Sequence, residues 1–335
     1  MHKFNITGKS ILITGGTGSF GRHWTKYILQ NFKPRRLIIF SRDELKQYEM
    51  QQEFSMDEYS CMRYFIGDVR DRDRLRHAFR DVQYIIHAAA LKQVPAAEYN
   101  PTECIKTNII GAQNVIRASI DNNIEAVIAL STDKAANPIN LYGATKLASD
   151  KLFVASNNIS GAHGTRFSVV RYGNVSGSRG SVIPLFKKLV NEGAKEIPIT
   201  DPEMTRFWIS LDDGVKMVMK AFNRMQGGEI FIPKIPSIKI VDLAEAIAPG
   251  IKYKIIGIRP GEKLHEVMCP YDSAHLTIEF SDHYVIRPDI NFFDSEIDYY
   301  KNAQSETGVP VARGFEYNSG TNPHFLSTSE IRKFL

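Results

Sequence analysis

The sequence has few of the features that would place it in a special class of protein. Its 335 residues include three cysteines, an odd number spread far apart, which argues against a disulfide framework and against a CxxC metal site. No apolar run approaches the ~20 residues that a membrane helix needs, and the N-terminus lacks the apolar core of a signal peptide. We therefore expect a cytoplasmic protein with no membrane partner and no bound metal.

Basic residues are only slightly more numerous than acidic residues. The chain has 42 basic and 37 acidic residues, a formal net charge of +5, and its basic residues form no block. A nucleic-acid-binding surface usually needs a concentrated basic patch, so we expect no nucleic acid partner. A small anionic ligand is compatible with this balance. The hydrophobic content of 43% supports a large buried core.

Short apolar runs alternate with longer amphipathic segments through the first half of the chain. Helical patterns such as Cys104–Asn122 separate the runs, and this alternation is typical of parallel strands joined by crossover helices. It predicts an α/β fold with a Rossmann-type doubly wound parallel sheet. The predicted strands are Ser10–Thr14, Arg36–Phe40, Met62–Ile66, Tyr84–His87, Ala126–Leu130 and Phe167–Arg171.

The pattern becomes irregular from about Asn174, where short strands mix with helices such as Leu211–Arg224. We therefore predict a dinucleotide-binding domain over residues 1–173 and a smaller α/β substrate domain over residues 174–335. Residues 210–225 are expected to pack back on the first domain.

The turn after the first predicted strand reads T-G-G-T-G-S-F-G. Glycines three residues apart between a strand and a helix let the backbone approach a pyrophosphate at the positive end of that helix. A tight turn without a ligand is the simpler alternative, but the position at the first βα turn favours a dinucleotide. The predicted cofactor contacts here are Gly15, Thr17, Gly18, Ser19, Phe20 and Gly21.

The second predicted strand ends in S-R-D-E-L-K, where an NAD site would place a carboxylate for the ribose hydroxyl. Arg42, with Ser41 and Lys46, suits a 2′-phosphate instead. NADP is therefore favoured over NAD, although Asp43 stands close by. Ser41 and Glu44 could also form a capping box, which would leave Arg42 free. Further cofactor contacts are predicted after the third and fourth strands, at Asp68, Val69, Ala88 and Ala89.

Tyr142 and Lys146 lie four residues apart at the start of a predicted helix and so share one face. A phenol titrates near 10 but becomes an accessible base when an ammonium and an oxidised nicotinamide lower its pKa. Lys146 would also hold the nicotinamide ribose, and Thr132 could donate to the reacting hydroxyl. A surface Tyr beside a solvated Lys is the alternative. The position after the cofactor turn favours a hydride-transfer site in which Tyr142 and Lys146 also contact the cofactor.

Asp133 and Lys134 directly follow Thr132, although hydride transfer alone needs neither. An exposed charged loop is the simple alternative. At the mouth of this site, a protonated Asp133 and a neutral Lys134 could serve as acid and base. For Lys134 this requires that burial keep its amine neutral.

Together, G-G-T-G-S-F-G, Thr132 and Y-x-x-x-K resemble the extended short-chain dehydrogenase/reductase superfamily, whose members commonly act on nucleotide sugars. The segment R-x-x-N-V-x-G, from Arg171, resembles the one whose Asn meets the substrate. More closely, T-D-K-A-A-N-P-I-N-L-Y-G-A-T-K, S-R-D-E-L-K-Q, A-E-Y-N-P-T-E-C-I-K-T-N, M-T-R-F-W and I-R-P-G-E-K-L-H-E resemble the inverting UDP-N-acetylglucosamine 4,6-dehydratases of pseudaminic acid biosynthesis. Gln93 departs from that family, which has His there.

The resemblance implies a lyase that oxidises UDP-N-acetylglucosamine at carbon 4, eliminates water across carbons 5 and 6, and returns hydride to carbon 6. The implied product is UDP-2-acetamido-2,6-dideoxy-L-arabino-hex-4-ulose, and NADP would stay bound throughout. Lys134 would be the base at carbon 5 and Asp133 the acid for the 6-hydroxyl. A homo-oligomer and a role in flagellin glycosylation are also implied. The implied substrate contacts are Lys92, Asn174, Arg206, Arg259 and Glu262.

Some alternatives remain open at this point. Arg259 and Glu262 could form a surface salt bridge, and the three residues Lys263, His265 and Glu266 are interpreted as helix surface. The enzyme could be a nucleotide-sugar epimerase, although a 4-epimerase has no use for a proton-transfer pair at carbon 5. A non-catalytic NADP-sensing module is also conceivable, but it would not need a reactive phenol.

Overall fold

The computed structural model describes residues 4–161, 164–177, 182–290 and 297–335. In its first half, parallel strands alternate with helices as predicted. The elements in chain order are β1 Ser10–Thr14, α1 Ser19–Asn31, β2 Arg36–Ser41, α2 Glu44–Glu53, β3 Met62–Ile66, α3 Arg72–Ala78, β4 Tyr84–His87, α4 Val94–Tyr99, α5 Pro101–Ile105, α6 Gly111–Asp121, β5 Ala126–Thr132, α7 Leu141–Ile159 and β6 Arg166–Tyr172.

The second half has shorter strands and fewer helices. Its elements are β7 Asn174–Val175, α8 Val182–Asn191, β8 Glu196–Ile199, β9 Thr205–Ile209, α9 Leu211–Arg224, β10 Ile230–Pro233, β11 Ser237–Lys239, α10 Ile240–Ile247, β12 Lys252–Ile255, β13 Val267–Cys269, β14 Thr277–Glu279, β15 His283–Ile286, β16 Val309–Pro310, β17 Tyr317–Asn318 and α11 Thr328–Arg332.

One large sheet organises the molecule, with the strand order β16-β14-β15-β10-β6-β5-β4-β1-β2-β3. The strands from β3 to β10 in this order all pair in parallel. The order reverses between β1 and β4, and ligands of open α/β sheets bind at the carboxyl ends of the strands beside such a reversal. The predicted Rossmann-type doubly wound sheet is confirmed.

Burial on both faces explains why the central strands are continuously apolar in sequence. All residues of β1 and β4 are buried, as parallel strands covered by helices on both sides must be. Helix α9 packs against α1, β5 and β6, so this later segment covers the first half of the chain.

The large sheet continues beyond β6, because β10 pairs in parallel with it and β15 then pairs antiparallel with β10. A division at residue 173 would therefore assign β10, β14, β15 and β16 of this sheet to the second region. Three small sheets, β11-β9-β7, β12-β8 and β13-β17, complete the second region.

The predicted helical segment Cys104–Asn122 is helical in the structure, but its hydrogen-bond pattern changes in a π-helical turn at Lys106–Ile110. Asn108 in this turn accepts a hydrogen bond from the Leu91 amide at 2.8 Å and donates to the Leu91 carbonyl at 2.9 Å. Its amide nitrogen also lies 3.0 Å from the Thr145 hydroxyl. The turn thus ties the loop after β4 to helix α7, and π-turns of this kind are frequent at functional sites.

Candidate active site

A cavity of about 1190 Å³ lies over the carboxyl ends of the parallel strands. Cavities that hold small ligands are commonly 300–1,000 Å³, so this one has room for more than one ligand group. It is lined by every residue that the sequence predicted, namely Gly15, Thr17, Gly18, Ser19, Phe20, Gly21, Ser41, Arg42, Asp43, Lys46, Asp68, Val69, Ala88 and Ala89 for the cofactor, Thr132, Asp133, Lys134, Tyr142 and Lys146 for catalysis, and Lys92, Asn174, Arg206, Arg259 and Glu262 for the substrate.

The turn after β1 has the shape of an anion cradle. Gly15 has φ +65°, and a Cβ there would lie 2.9 Å from the Ala89 backbone, so only glycine fits. A Cβ on Gly21 would lie 2.1 Å from the Gly16 carbonyl oxygen. Gly18 caps α1 without a side-chain hydrogen bond, and no acidic side chain lies in the first helical turn. These features fit a pyrophosphate at the helix N-terminus.

The capping box of Ser41 and Glu44 that the sequence allowed after β2 is not formed. Ser41 is still part of the strand and its hydroxyl lies 2.9 Å from that of Thr17, so Asp43 is the N-cap of α2 instead. The Asp43 carboxylate accepts from the Lys46 amide at 3.0 Å and pairs with the Lys46 ammonium at 2.5 Å. These hydrogen bonds from Lys46 hold the pKa of Asp43 below its usual value. The Asp43 carboxylate, which an NAD site would use for the ribose hydroxyl, thus already accepts two hydrogen bonds from Lys46.

Arg42 remains available above the cavity. Its side chain is 55% exposed, and the nearest recorded carboxylate is that of Asp68, at 3.6 Å. Asp68 is bound more closely by Arg70, at 2.8 Å. A guanidinium in this position suits a phosphate ligand.

Helix α7 places Tyr142 and Lys146 in the interior of the cavity. Asn140 caps the helix by accepting from the Gly143 amide at 2.7 Å. Both Tyr142 and Lys146 are buried, and the Lys146 ammonium donates to the Leu130 carbonyl at 2.7 Å. Burial lowers the pKa of Lys146. We refer to Leu130, Tyr142 and Lys146 as the hydride corner.

The lowered pKa predicted for Tyr142 is not found in the protein alone. Burial raises the pKa of this phenol to about 12, while the ammonium of Lys134 and the hydroxyl of Thr132 lower it. Desolvation of the phenolate is therefore the larger effect. Among the influences that lower the pKa of Tyr142, the charge of Lys134 is the largest, although we had expected that influence from Lys146.

Lys134 lies between two buried carboxylates. Its ammonium is 3.1 Å from Oδ1 of Asp133 and 3.1 Å from Oε1 of Glu266, whose side chains are 1% and 2% exposed. Burial acts to lower the pKa of Lys134, but the two carboxylates outweigh it and raise the pKa above its usual value. The condition that burial keep the amine of Lys134 neutral is therefore not met in the protein alone, because the two carboxylates favour the ammonium. Asp133 and Lys134 are also not an exposed loop.

Glu266 is the residue that sequence reasoning missed. The helix expected around it is absent from the described residues 259–266, where Pro260 and Gly261, with φ +78°, fall in a loop. Lys263 donates to the Ala136 carbonyl at 2.7 Å, and His265 lies 2.8 Å from the Thr205 hydroxyl. One feature of the sequence could have indicated Glu266, because it directly precedes the apolar residues of β13.

Arg206 completes the charged group around Lys134. Its guanidinium donates to the carbonyls of Thr205 at 2.6 Å and Leu264 at 3.2 Å, and it lies 3.8 Å from Glu266. We refer to Asp133, Lys134, Arg206 and Glu266 as the acid–base cluster. Because backbone carbonyls already hold the guanidinium of Arg206 in place, any contact with a substrate would be made from this fixed position.

The other predicted substrate residues present polar groups to the same cavity. Oδ1 of Asn174 is buried with no hydrogen-bond partner within the described ranges. Arg259 pairs with Glu262, so the salt-bridge alternative is observed, yet the Arg259 side chain is 63% exposed and can meet a ligand as well. Partial burial lowers the pKa of Lys92.

In the described part of the chain, no His, Cys, Asp and Glu side chains are grouped in a way that could hold a metal ion. None of the helices within those residues is long and apolar enough to cross a membrane.

Residues 11–288 match the family described as polysaccharide biosynthesis protein, and the chain belongs to that family. A crystal structure, "X-ray structure of Pen from Bacillus thuringiensis", superposes with a TM-score of 0.86 at 36% identity and covers 98% of both chains.

The resemblance to the inverting UDP-N-acetylglucosamine 4,6-dehydratases is confirmed by a relative that aligns over nearly its whole length. The inverting UDP-N-acetylglucosamine 4,6-dehydratase of Campylobacter jejuni subsp. jejuni serotype O:2 is 64% identical over 98% of this chain and 97% of its own. A protein of Rickettsia massiliae named UDP-glucose 4-epimerase is 43% identical over 98% of this chain and 95% of its own.

Proposed function

We propose that the chain is a UDP-N-acetylglucosamine 4,6-dehydratase that inverts carbon 5, with the hydride corner and the acid–base cluster acting in successive steps. The observation that carries this proposal is the position of Lys134 between the buried carboxylates of Asp133 and Glu266, in the same cavity as Tyr142. The relative at 64% identity carries the same activity in its name.

The cofactor is a nicotinamide dinucleotide, and we propose NADP. The glycine turn before α1 would hold the pyrophosphate, and Arg42 with Ser41 would hold the 2′-phosphate. Asp43 caps α2 and pairs with Lys46, whereas the guanidinium of Arg42 is 55% exposed and can meet a phosphate. When bound, NADP would supply the hydride acceptor for carbon 4 and, once reduced, the hydride donor for carbon 6.

Tyr142 acts first, by taking the proton of the 4-hydroxyl as carbon 4 becomes a ketone. Its phenolate is favoured by the Lys134 ammonium and by the hydrogen bond from Thr132. Lys146 holds the ribose of the cofactor and keeps its contact with Leu130. The proton at carbon 5 then lies next to a carbonyl and becomes removable.

One internal proton transfer converts the acid–base cluster to its active form. The proton passes from Nζ of Lys134 to Oδ1 of Asp133, two atoms that lie 3.1 Å apart, and this leaves an amine and a carboxylic acid. The amine of Lys134 takes the proton from carbon 5. Asp133 gives its proton to the departing 6-hydroxyl, so water leaves and a double bond joins carbons 5 and 6. Hydride delivered to carbon 6 and a proton delivered from solvent to the opposite face of carbon 5 complete the inversion, and the phenol of Tyr142 returns to solvent the proton that it took from the 4-hydroxyl.

The substrate's uridine diphosphate would be held at the other side of the cavity. Lys92 and Arg259 supply positive charge for the diphosphate, while Asn174 and Glu262 supply hydrogen-bond acceptors. Arg206 is a weaker candidate, since its guanidinium is committed to backbone carbonyls. We further propose a homo-oligomer that acts in pseudaminic acid biosynthesis and thereby in flagellin glycosylation.

The test is to incubate the purified protein with UDP-N-acetylglucosamine in deuterated water, without added cofactor, and to follow the sugar by NMR. The proposal predicts a 6-deoxy-4-keto sugar of the L series with deuterium at carbon 5. The Rickettsia relative makes 4-epimerisation the second candidate. A 4-epimer with no deuterium at carbon 5 would establish that candidate, and an unchanged sugar would remove the dehydratase.

A further inference from the structure

Glu266 is fixed in the acid–base cluster by its backbone on both sides. Its amide donates to the Ser319 hydroxyl at 2.9 Å, and its carbonyl accepts from the Ser319 amide at 2.8 Å. The side chain is 2% exposed, and Oε2 is buried with no hydrogen-bond partner in the described part of the chain. A carboxylate with one unpartnered buried oxygen costs free energy, which calls for a role beyond packing.

The surroundings of Lys134 show what that role is. Asp133 faces it from its own turn, Arg206 from β9 and Tyr142 from α7, while Glu266 and Lys263 face it from the loop before β13. If Asp133 takes the proton of Lys134, only the second carboxylate still carries a negative charge. That carboxylate also lies 3.8 Å from the Arg206 guanidinium, which remains charged throughout. The negative charge of Glu266 therefore offsets the positive charge of Arg206 both before and after the proton moves from Lys134 to Asp133.

We propose that Glu266 is the positioning residue for Lys134: it holds the ammonium between itself and Asp133, beside Tyr142, and balances the cluster after the proton has moved. This inference rests on the proposed function for its chemical meaning. The competing possibility is that Glu266 only neutralises Arg206 for folding and leaves Lys134 unaffected.

The test compares Glu266→Gln with wild type by competitive labelling. The protein as purified is treated with a trace of an amine-reactive reagent across pH, and the labelling of Lys134 is quantified by mass spectrometry. Lys188 is the internal reference, since its side chain is 70% exposed. Glu316→Gln is the matched control, because that carboxylate accepts a hydrogen bond from Asn318 at 2.8 Å and forms no ion pair with Lys134 in the described part of the chain.

Removal of one of two carboxylates at this distance should lower the pKa of Lys134 by about one unit or more. The labelling curve of Lys134 in Glu266→Gln should therefore move to lower pH, with about tenfold more labelling on the rising limb. The curve of Glu316→Gln should match wild type. A Glu266→Gln curve that superposes on wild type would overturn the proposal.

Thermal unfolding and cofactor content show whether Glu266→Gln is folded. If it is not, Glu266→Asp carries the test, since it keeps the charge but moves it one methylene away. A smaller shift in the same direction is then expected, and no shift overturns the proposal. Labelling needs no substrate, so a wild-type enzyme that fails to turn over UDP-N-acetylglucosamine would defeat the proposed function while leaving this measurement intact.

Discussion

Two lysines in one cavity have opposite electrostatic environments. Lys146 donates to the Leu130 carbonyl, and Asp150, the carboxylate that raises its pKa, is itself bound by Arg171 at 3.0 Å. Burial therefore prevails and lowers the pKa of Lys146. Lys134 lies between the carboxylates of Asp133 and Glu266, and its pKa is raised.

The difference teaches that burial alone does not decide the charge of a lysine. A carbonyl partner leaves the desolvation cost of the ammonium largely uncompensated, whereas two carboxylates more than offset it. The hydride corner can thus serve cofactor binding and oxidation, while the acid–base cluster stores a movable proton. If the comparison is correct, substitutions in the two regions should stop the reaction at different steps.

The largest expected effect is that of Tyr142→Phe in the hydride corner. Without the phenol nothing accepts the 4-hydroxyl proton, and turnover should fall by about 10²–10⁴-fold, the usual contribution of a general base. Product formation followed by chromatography measures this. Tyr64→Phe is the control, because that hydroxyl bonds the Phe54 carbonyl and does not line the cavity. Equal activity of Tyr142→Phe and wild type would refute the role of the phenol.

Lys134→Met should stop elimination while oxidation at carbon 4 survives at a reduced rate. NMR in deuterated water should find no deuterium at carbon 5 and no 6-deoxy product. Because the Lys134 ammonium lowers the pKa of Tyr142, its removal should raise that pKa and move oxidation to higher pH. Lys234→Met, which removes a lysine paired with Glu279 outside the cavity, should behave as wild type. Full incorporation of deuterium by Lys134→Met would remove Lys134 from the base role.

Arg42→Ala should have the smallest effect on the reaction and should leave the environments of Lys134 and Lys146 unchanged. The loss of a charge-assisted contact to the 2′-phosphate should weaken NADP binding by about tenfold or more, while NAD binding changes little. Titration of the cofactor-free protein with each dinucleotide tests this. Arg63→Ala is the control, since Arg63 bonds backbone carbonyls near β3 and does not line the cavity. Equal weakening of NADP and NAD binding would argue against a 2′-phosphate site.

Local sequence patterns predicted the first six strands, because buried parallel strands are short apolar runs bounded by turns. They also located the residues that line the cavity, since these follow strand ends that a parallel sheet brings to one edge. Three features depended on distant contacts. The π-turn is held through Asn108 by Leu91 and Thr145, and Glu266 reaches Lys134 only through the fold. The charge state of Lys134 follows from that contact and so could not be predicted.

The most direct test of the account is a single turnover followed by the near-ultraviolet absorbance of NADPH, with Lys134→Met and Tyr142→Phe measured side by side. The account predicts that absorbance rises and persists in Lys134→Met, because oxidation occurs without elimination, and that Tyr142→Phe gives no rise. A rise in Tyr142→Phe, or a wild-type course in Lys134→Met, would contradict the assignment of the two regions to successive steps.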